Sequence, residues 1–170
     1  GEAVRFRTRR SGELVVRKGR DGLLEMDFPA RPAHAITPPA GLAEALHTTP
    51  REVLGSAEDL LVVLDGEQAV WDVSPDFPAL TEIPYRGVIV TARGEHSDFV
   101  SRFFAPRVGV PEDPVTGSSH CVLAPYWAGV LDRDDLRAFQ VSKRGGELFC
   151  VHAGERVKIS GRAVLYLEGT

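Results

Sequence analysis

Ser119-His120-Cys121-Val122-Leu123-Ala124-Pro125-Tyr126-Trp127-Ala128-Gly129-Val130-Leu131 is the stretch whose reading decides the fold. It predicts a helix that is apolar on nearly every face, and such a helix must be surrounded by protein. A curled antiparallel sheet wrapped around it would supply those surroundings. Pro125 cannot donate to the carbonyl of Cys121, so a kink or a loosened turn is expected there.

The sequence on either side supplies strands for such a sheet. Short β-type runs recur between Gly, Pro and Asp punctuation: Val4 to Thr8, Glu13 to Lys18, Leu23 to Phe28, Leu60 to Leu64, Ala69 to Val73, Gly87 to Thr91, Phe99 to Phe104, Leu148 to His152, Arg156 to Ser160 and Ala163 to Glu168. Arg10-Ser11-Gly12, Asp65-Gly66-Glu67 and Gly161-Arg162 are short enough to close hairpins between neighbouring runs. These links predict antiparallel pairing without a βαβ rhythm. Helical signals are fewer: Pro39 to His47, Arg51 to Gly55, Asp76 to Leu80 and Asp132 to Ala138. The Pro-rich stretch Pro29 to Pro39 reads as a loop crossing between elements. The fold class expected is α+β, a curled, barrel-like antiparallel sheet around one central buried helix.

The 170 residues, 43% of them hydrophobic, suffice for one ordinary core, so residues 1–170 are read as a single domain. The formal charge of −4 comes from 24 acidic and 20 basic residues scattered along the chain, with no basic stripe to neutralise phosphates. Nucleic acid is therefore not an expected partner. The longest apolar stretches, Leu60 to Leu64 and Cys121 to Leu131, fall short of the roughly 20 residues that span a bilayer. No membrane partner and no secretory signal are expected. Cys121 and Cys150 are too few and too far apart for a disulfide framework or a zinc knuckle. They are read as core thiols in a reducing, cytoplasmic setting. His34, His47, His96 and His152 show no metal-ligand spacing.

Chemistry concentrates in Glu112-Asp113-Pro114-Val115-Thr116-Gly117-Ser118-Ser119-His120, immediately ahead of the buried helix. The first amides of a helix have no partner inside it, and a glycine lets a ligand oxygen approach, so an anion is held well at such a place. Ser118 either caps the helix or faces a ligand. Asp113, held extended by Pro114, either opens a turn or points at the same opening as a proton carrier. His120 is read as a packed histidine near the helix start.

A longer pattern surrounds this segment. Phe99-Val100-Ser101-Arg102-Phe103-Phe104-Ala105-Pro106 and Gly109 precede it, and Leu123-Ala124-Pro125-Tyr126-Trp127 follow. Gln140-Val141-Ser142-Lys143-Arg144-Gly145-Gly146-Glu147-Leu148 and Arg156-Val157-Lys158-Ile159-Ser160-Gly161-Arg162-Ala163-Val164 continue it, and Phe6, Thr8, Ser11, Gly12 and Met26-Asp27-Phe28-Pro29-Ala30 fit at the start. Together these resemble the C-terminal signature of the phenazine-biosynthesis PhzF-like isomerases. The resemblance implies one lobe of a diaminopimelate epimerase-like fold, in which two similar domains enclose a cleft. It also implies acid–base isomerisation of a small carboxylated substrate without metal or organic cofactor. Asp113 and Ser118 then stand as the catalytic pair, and Thr116, Gly117 and Ser119 as substrate-binding residues.

The resemblance further implies an N-terminal domain, bringing a proton-shuttling glutamate and a histidine, that has no counterpart in these 170 residues. The chain is accordingly expected to be the C-terminal half of an isomerase, inactive without its other half. An exposed face where that domain packs would favour a homo-oligomer. Two other readings stand beside this one. One is a stand-alone, non-catalytic module for small-anion binding or dimerisation. The other, a racemase with paired cysteine bases, is disfavoured because Thr116 precedes Gly117 and Cys121 lies inside the helix.

Overall fold

A computed structural model describes residues 3–9, 12–19 and 21–164. Its strands are β1 (Ala3–Thr8), β2 (Gly12–Lys18), β3 (Leu24–Pro29), β4 (His34–Ala35), β5 (Glu52–Gly55), β6 (Asp59–Val63), β7 (Gly87–Arg93), β8 (Phe99–Phe104), β9 (Asp135–Gln140), β10 (Gly146–Ala153) and β11 (Arg156–Gly161). All of them join one 11-stranded sheet in the order β1-β2-β3-β11-β10-β9-β8-β7-β6-β5-β4. The helices are α1 (Leu42–Leu46), α2 (Glu67–Asp72), α3 (Phe77–Glu82) and α4 (Gly117–Leu131). A mixed α+β architecture is thus correct. The sheet is open, ending on β1 and β4, where the sequence suggested a barrel.

Strand alternation sorts the core into two layers. On β6, Leu61 and Val63 face α4, Trp127 and Phe99, whereas Leu60, Val62 and Leu64 just beyond the strand face α1 and the neighbourhood of α2 and α3. These five side chains are at most 2% exposed. Each contributes about 1.5–3 kcal/mol by leaving water. Such burial on both faces is the mark of a strand with cover above and below. It explains why Leu60 to Leu64 reads as a continuous apolar run.

The expectation of purely antiparallel pairing is corrected at two places. β6 pairs parallel to β7, and β8 pairs parallel to β9. Parallel neighbours need a crossover, provided in the first case by α2 and α3 and in the second by α4. Ala69 to Val73, read as a strand, therefore belongs largely to α2, and Asp65-Gly66-Glu67 leads into that helix instead of closing a hairpin. Two short helical readings are strands instead. Arg51 to Gly55 falls on β5, and Asp132 to Ala138 runs into β9. The link Arg10-Ser11 and residues 165–168 of the last β-type run lie outside the described residues, and Ala163 and Val164 carry no strand.

The helix that decided the reading is α4, and it extends from Gly117. Its residues Ser119 to Ala124, together with Trp127 and Ala128, are buried. It packs on β6, β9, β10 and β11. Trp127 stacks on Phe99 with centroids 5.6 Å apart and planes 3° from parallel, and Tyr126 meets Trp127 edge-on at 5.3 Å. Pro125 is accommodated inside the helix because the carbonyl it leaves unpaired, that of Cys121, accepts from the Arg31 amide at 2.9 Å. Arg31 follows β3, so the Pro-rich crossing supplies the donor that the helix lacks. Among the described residues no helix is long and apolar enough to cross a membrane.

Candidate functional site

The segment from Glu112 to His120 connects β8 to α4, and β9 and the loop after it hold it in place. Asp113 donates its amide to the carbonyl of Phe103 at 3.0 Å, which ties the turn to the end of β8. Gln140, the last residue of β9, is fully buried and uses both ends of its amide. Its oxygen accepts from the Thr116 amide at 2.8 Å, while its nitrogen donates to the Asp113 carbonyl at 2.7 Å and to Thr116 Oγ1 at 3.1 Å. Ser142 adds a bond from its hydroxyl to the Pro114 carbonyl at 2.7 Å. Buried polar groups need partners, and here the partners are the backbone of one loop. The 113–116 turn is therefore fixed by side chains that start about 25 positions later.

Each predicted site residue can now be located. The Asp113 carboxylate accepts from Thr116 Oγ1 at 2.6 Å and keeps its other oxygen free of any protein donor among the described residues. Thr116 is the N-cap of α4 in extended conformation, with no side-chain capping bond. Its hydroxyl orients Asp113, and its amide is committed to Gln140. Gly117 opens α4 on a side where an added Cβ would meet nothing within 4 Å. The Ser118 hydroxyl accepts from Arg86 Nη2 at 3.1 Å. Ser119 is 1% exposed and donates its hydroxyl to the Thr116 carbonyl at 2.9 Å, so only its backbone can serve a ligand. Among the described residues the amides of Gly117, Ser118 and Ser119 find no acceptor outside the helix, as the first turn of a helix leaves them.

His120 is 0% exposed and points inward, its Nδ1 2.7 Å from the Thr116 carbonyl. Burial pushes its pKa down to about 4, the backbone bond only partly opposing this. It is neutral at ordinary pH, Nδ1–H donating to that carbonyl, and is a packed histidine as its sequence position suggested. Cys121 and Cys150 are 3% and 1% exposed, and burial raises their pKa values to about 11 and about 12. Thiols so placed are core groups, which removes the paired-cysteine reading. Glu112, first residue of the motif, is spent on an ion pair with Arg102, whose Nε lies 2.8 Å away. Arg102 also donates through Nη1 to the Val73 carbonyl at 2.7 Å, closing the end of α2. A cleft of about 420 Å³ flanks the loop, lined by Glu112, Pro114, Ser142, Lys143 and Arg144.

Sequence reasoning missed the supports of this site. Asp59 and Arg86 come from β6 and the residue before β7, 27 positions apart, and nothing local marks them, whereas Arg102 lies in the Phe99 to Pro106 stretch of the resemblance. Gln140 and Ser142 did carry a signal, since they open the Gln140 to Leu148 stretch of the resemblance.

Chemically the arrangement offers a carboxylate, a hydroxyl and free helix-start amides around one open glycine. Comparison with known proteins agrees with the resemblance. The sequence model of the family described as "Phenazine biosynthesis-like protein" matches residues 2–169. A protein of Pseudomonas aeruginosa named as an uncharacterized isomerase is 53% identical over 169 residues, covering 99% of this chain and 64% of its own length. One from Halalkalibacterium halodurans, also named as an uncharacterized isomerase, is 40% identical over 170 residues, covering 98% of this chain and 63% of its own length. The crystal structure of a PhzF-family phenazine biosynthesis protein from Enterococcus faecalis superposes with a TM-score of 0.92 at 40% identity, covering 98% of this chain and 64% of that one. The chain therefore spans just under two thirds of the length of these relatives. The expectation of a C-terminal half alone gains no support, because the family match takes in almost every residue present. With a family match over nearly its whole length, the chain belongs to the phenazine biosynthesis-like (PhzF) family.

Proposed function

We propose that this chain carries the Asp113–Ser118 site of an isomerase that moves a proton on a small carboxylated molecule by acid–base chemistry, without a cofactor. Asp113 is the proton carrier. Ser118 and the amides of Gly117, Ser118 and Ser119 hold the substrate oxygen that gains charge as the proton leaves. Thr116 acts through Asp113, whose orientation it sets. The observation that carries this reading is the Asp113 carboxylate held by Thr116 beside an open glycine at the start of a buried helix. The relatives named as isomerases support the reaction class. The single continuous sheet supports treating residues 1–170 as one domain.

Solvent deuterium exchange tests the reading. Cyclic and amino-acid carboxylates are incubated in D2O with the 170-residue chain and with the longest gene product that contains it. Deuterium should enter a carbon position of at least one substrate, and Asp113→Asn and Ser118→Ala should each suppress its entry. Undiminished exchange in both variants would overturn the site assignment.

A further inference from the structure

Asp59 opens β6 and is 0% exposed, an expensive place for a carboxylate unless it is paired and hydrogen-bonded. Arg86, just before β7, satisfies it side-on. Nε donates to Oδ1 at 2.9 Å and Nη2 donates to Oδ2. Bonding to Asp59, with smaller help from the charges of Asp59 and Glu58, raises the Arg86 pKa against the opposing effect of burial. The guanidinium is also confined from below, its Cζ 5.4 Å from the centre of the Phe103 ring. Gly87 permits this approach, since a Cβ there would stand 2.4 Å from Phe103 Cζ. Beside the pair, Arg31 and Glu58 form a second ion pair, so the cluster is balanced in charge.

What this locked guanidinium does next is donate from Nη2 to Ser118 Oγ. A guanidinium has donors and no acceptor. In that bond Ser118 Oγ must therefore be the acceptor, and its own proton goes elsewhere. No described residue takes it. Ser118 is partly exposed, next to the open side of Gly117 and at the positive end of α4.

We propose that Asp59 and Arg86 are positioning residues that fix the Ser118 hydroxyl as a hydrogen-bond donor to an anionic substrate oxygen, a carboxylate. The proposal rests on the reading that Ser118 faces the substrate. It adds the role of Ser118, donor and not base, and the residues that impose it. If the Asp59–Arg86 pair were only a structural tie between β6, β7 and α4, its loss would lower stability without being coupled to Ser118 in binding.

The test is a double-mutant cycle read by NMR on the 15N-labelled chain, with benzoate as the probe and benzamide as its neutral counterpart. The backbone amides at positions 117 and 118 report the dissociation constant in the wild-type chain and in every variant. Benzoate should shift them saturably in the millimolar range and benzamide should not. Ser118→Ala and Arg86→Gln should each weaken benzoate by about tenfold, the scale of one charge-assisted hydrogen bond. The double variant should be no weaker than Ser118→Ala alone, because the two residues act through one bond. Arg86→Lys keeps the charge beside Asp59 and should recover part of the affinity; the cycle is read on it should Arg86→Gln not fold. Multiplicative losses in the double variant, wild-type affinity in the Arg86 variants, or no saturable shift with the wild-type chain would each overturn the proposal. Intact solvent exchange in Asp113→Asn would instead overturn Asp113 as the proton carrier and leave the benzoate cycle standing.

Discussion

The two faces of the sheet are built from the same strands and hold different chemistry. The face under α1 to α3 is a largely hydrocarbon layer of Leu60, Val62, Val88, Val90, Val100 and Phe104 with their helical partners, its charged exception being Arg102 over the Phe104 ring. The face under α4 carries Leu61, Ile89, Phe99 and Phe103 in the alternate positions, and among them the buried polar residues Asp59, Thr91, Ser101 and Gln140. Each polar group there has a task where its partner can be identified. Asp59 holds Arg86, Gln140 holds the site loop, and Thr91 accepts from the Trp127 indole at 3.0 Å. One layer supplies stability at low chemical cost. The other accepts buried polarity because the start of α4 has to be oriented.

Mutations can break or sharpen this contrast. Trp127→Ala removes the buried ring by which α4 stacks on Phe99 and should cost about 3–5 kcal/mol in urea unfolding. It also removes the indole donor to the Thr91 hydroxyl, which keeps its own bond to the Val100 carbonyl at 2.7 Å. Leu60→Ala, on the opposite face, should cost about 2–5 kcal/mol, yet the amide resonances of Gly117 and Ser118 should stay in place. If those resonances move as far as in a site-loop variant, the two layers are not separable.

A pH series sharpens the same contrast. The folded-state pKa of His120 is about 4, below its ordinary 6.5. As pH falls through 6.5 the unfolded chain takes up the proton first, so stability drops between pH 6.5 and pH 4 and is unaffected by His120 above that window. The full loss is about 3 kcal/mol. His120→Asn, which can still donate to the Thr116 carbonyl, should flatten the slope. An unchanged slope in that variant would show that His120 is not its source. Gln140→Leu leaves the Thr116 amide and the Asp113 carbonyl without their partner at about 1–3 kcal/mol each, a loss comparable to that of Leu60→Ala. Its signature is loosening of the 113–116 loop, seen as faster amide hydrogen exchange at Thr116.

The contrast also explains what could be read from residue order. The α4 helix was legible because Ser119 to Leu131 offers no polar face, and the reactive segment because Asp113, Gly117 and Ser118 sit together ahead of it. The first parallel crossover was less legible. Leu60 to Leu64 does carry the unbroken apolar run of a doubly covered strand, but Ala69 to Val73, apolar apart from Asp72, mimics a hairpin partner. β9 shows a two-residue alternation of exposed and buried positions from Asp135 to Gln140, which a helical reading of Asp132 to Ala138 overlooks. Asp59 and Arg86 lie 27 positions apart, and Arg86 and Ser118 lie 32 apart. Only the parallel pairing of β6 with β7 and the packing of α4 bring them together, so no local pattern announces them.

The measurement that bears most directly on the division between the two faces is solvent deuterium exchange per folded molecule, followed side by side in Asp113→Asn and Leu60→Ala with Tm recorded for both. The predicted result is an exchange rate about 10²–10⁴-fold lower in Asp113→Asn at nearly wild-type Tm, and a lowered Tm with wild-type exchange per folded molecule in Leu60→Ala. Wild-type exchange in Asp113→Asn, or equal losses of exchange in the two variants, would contradict it.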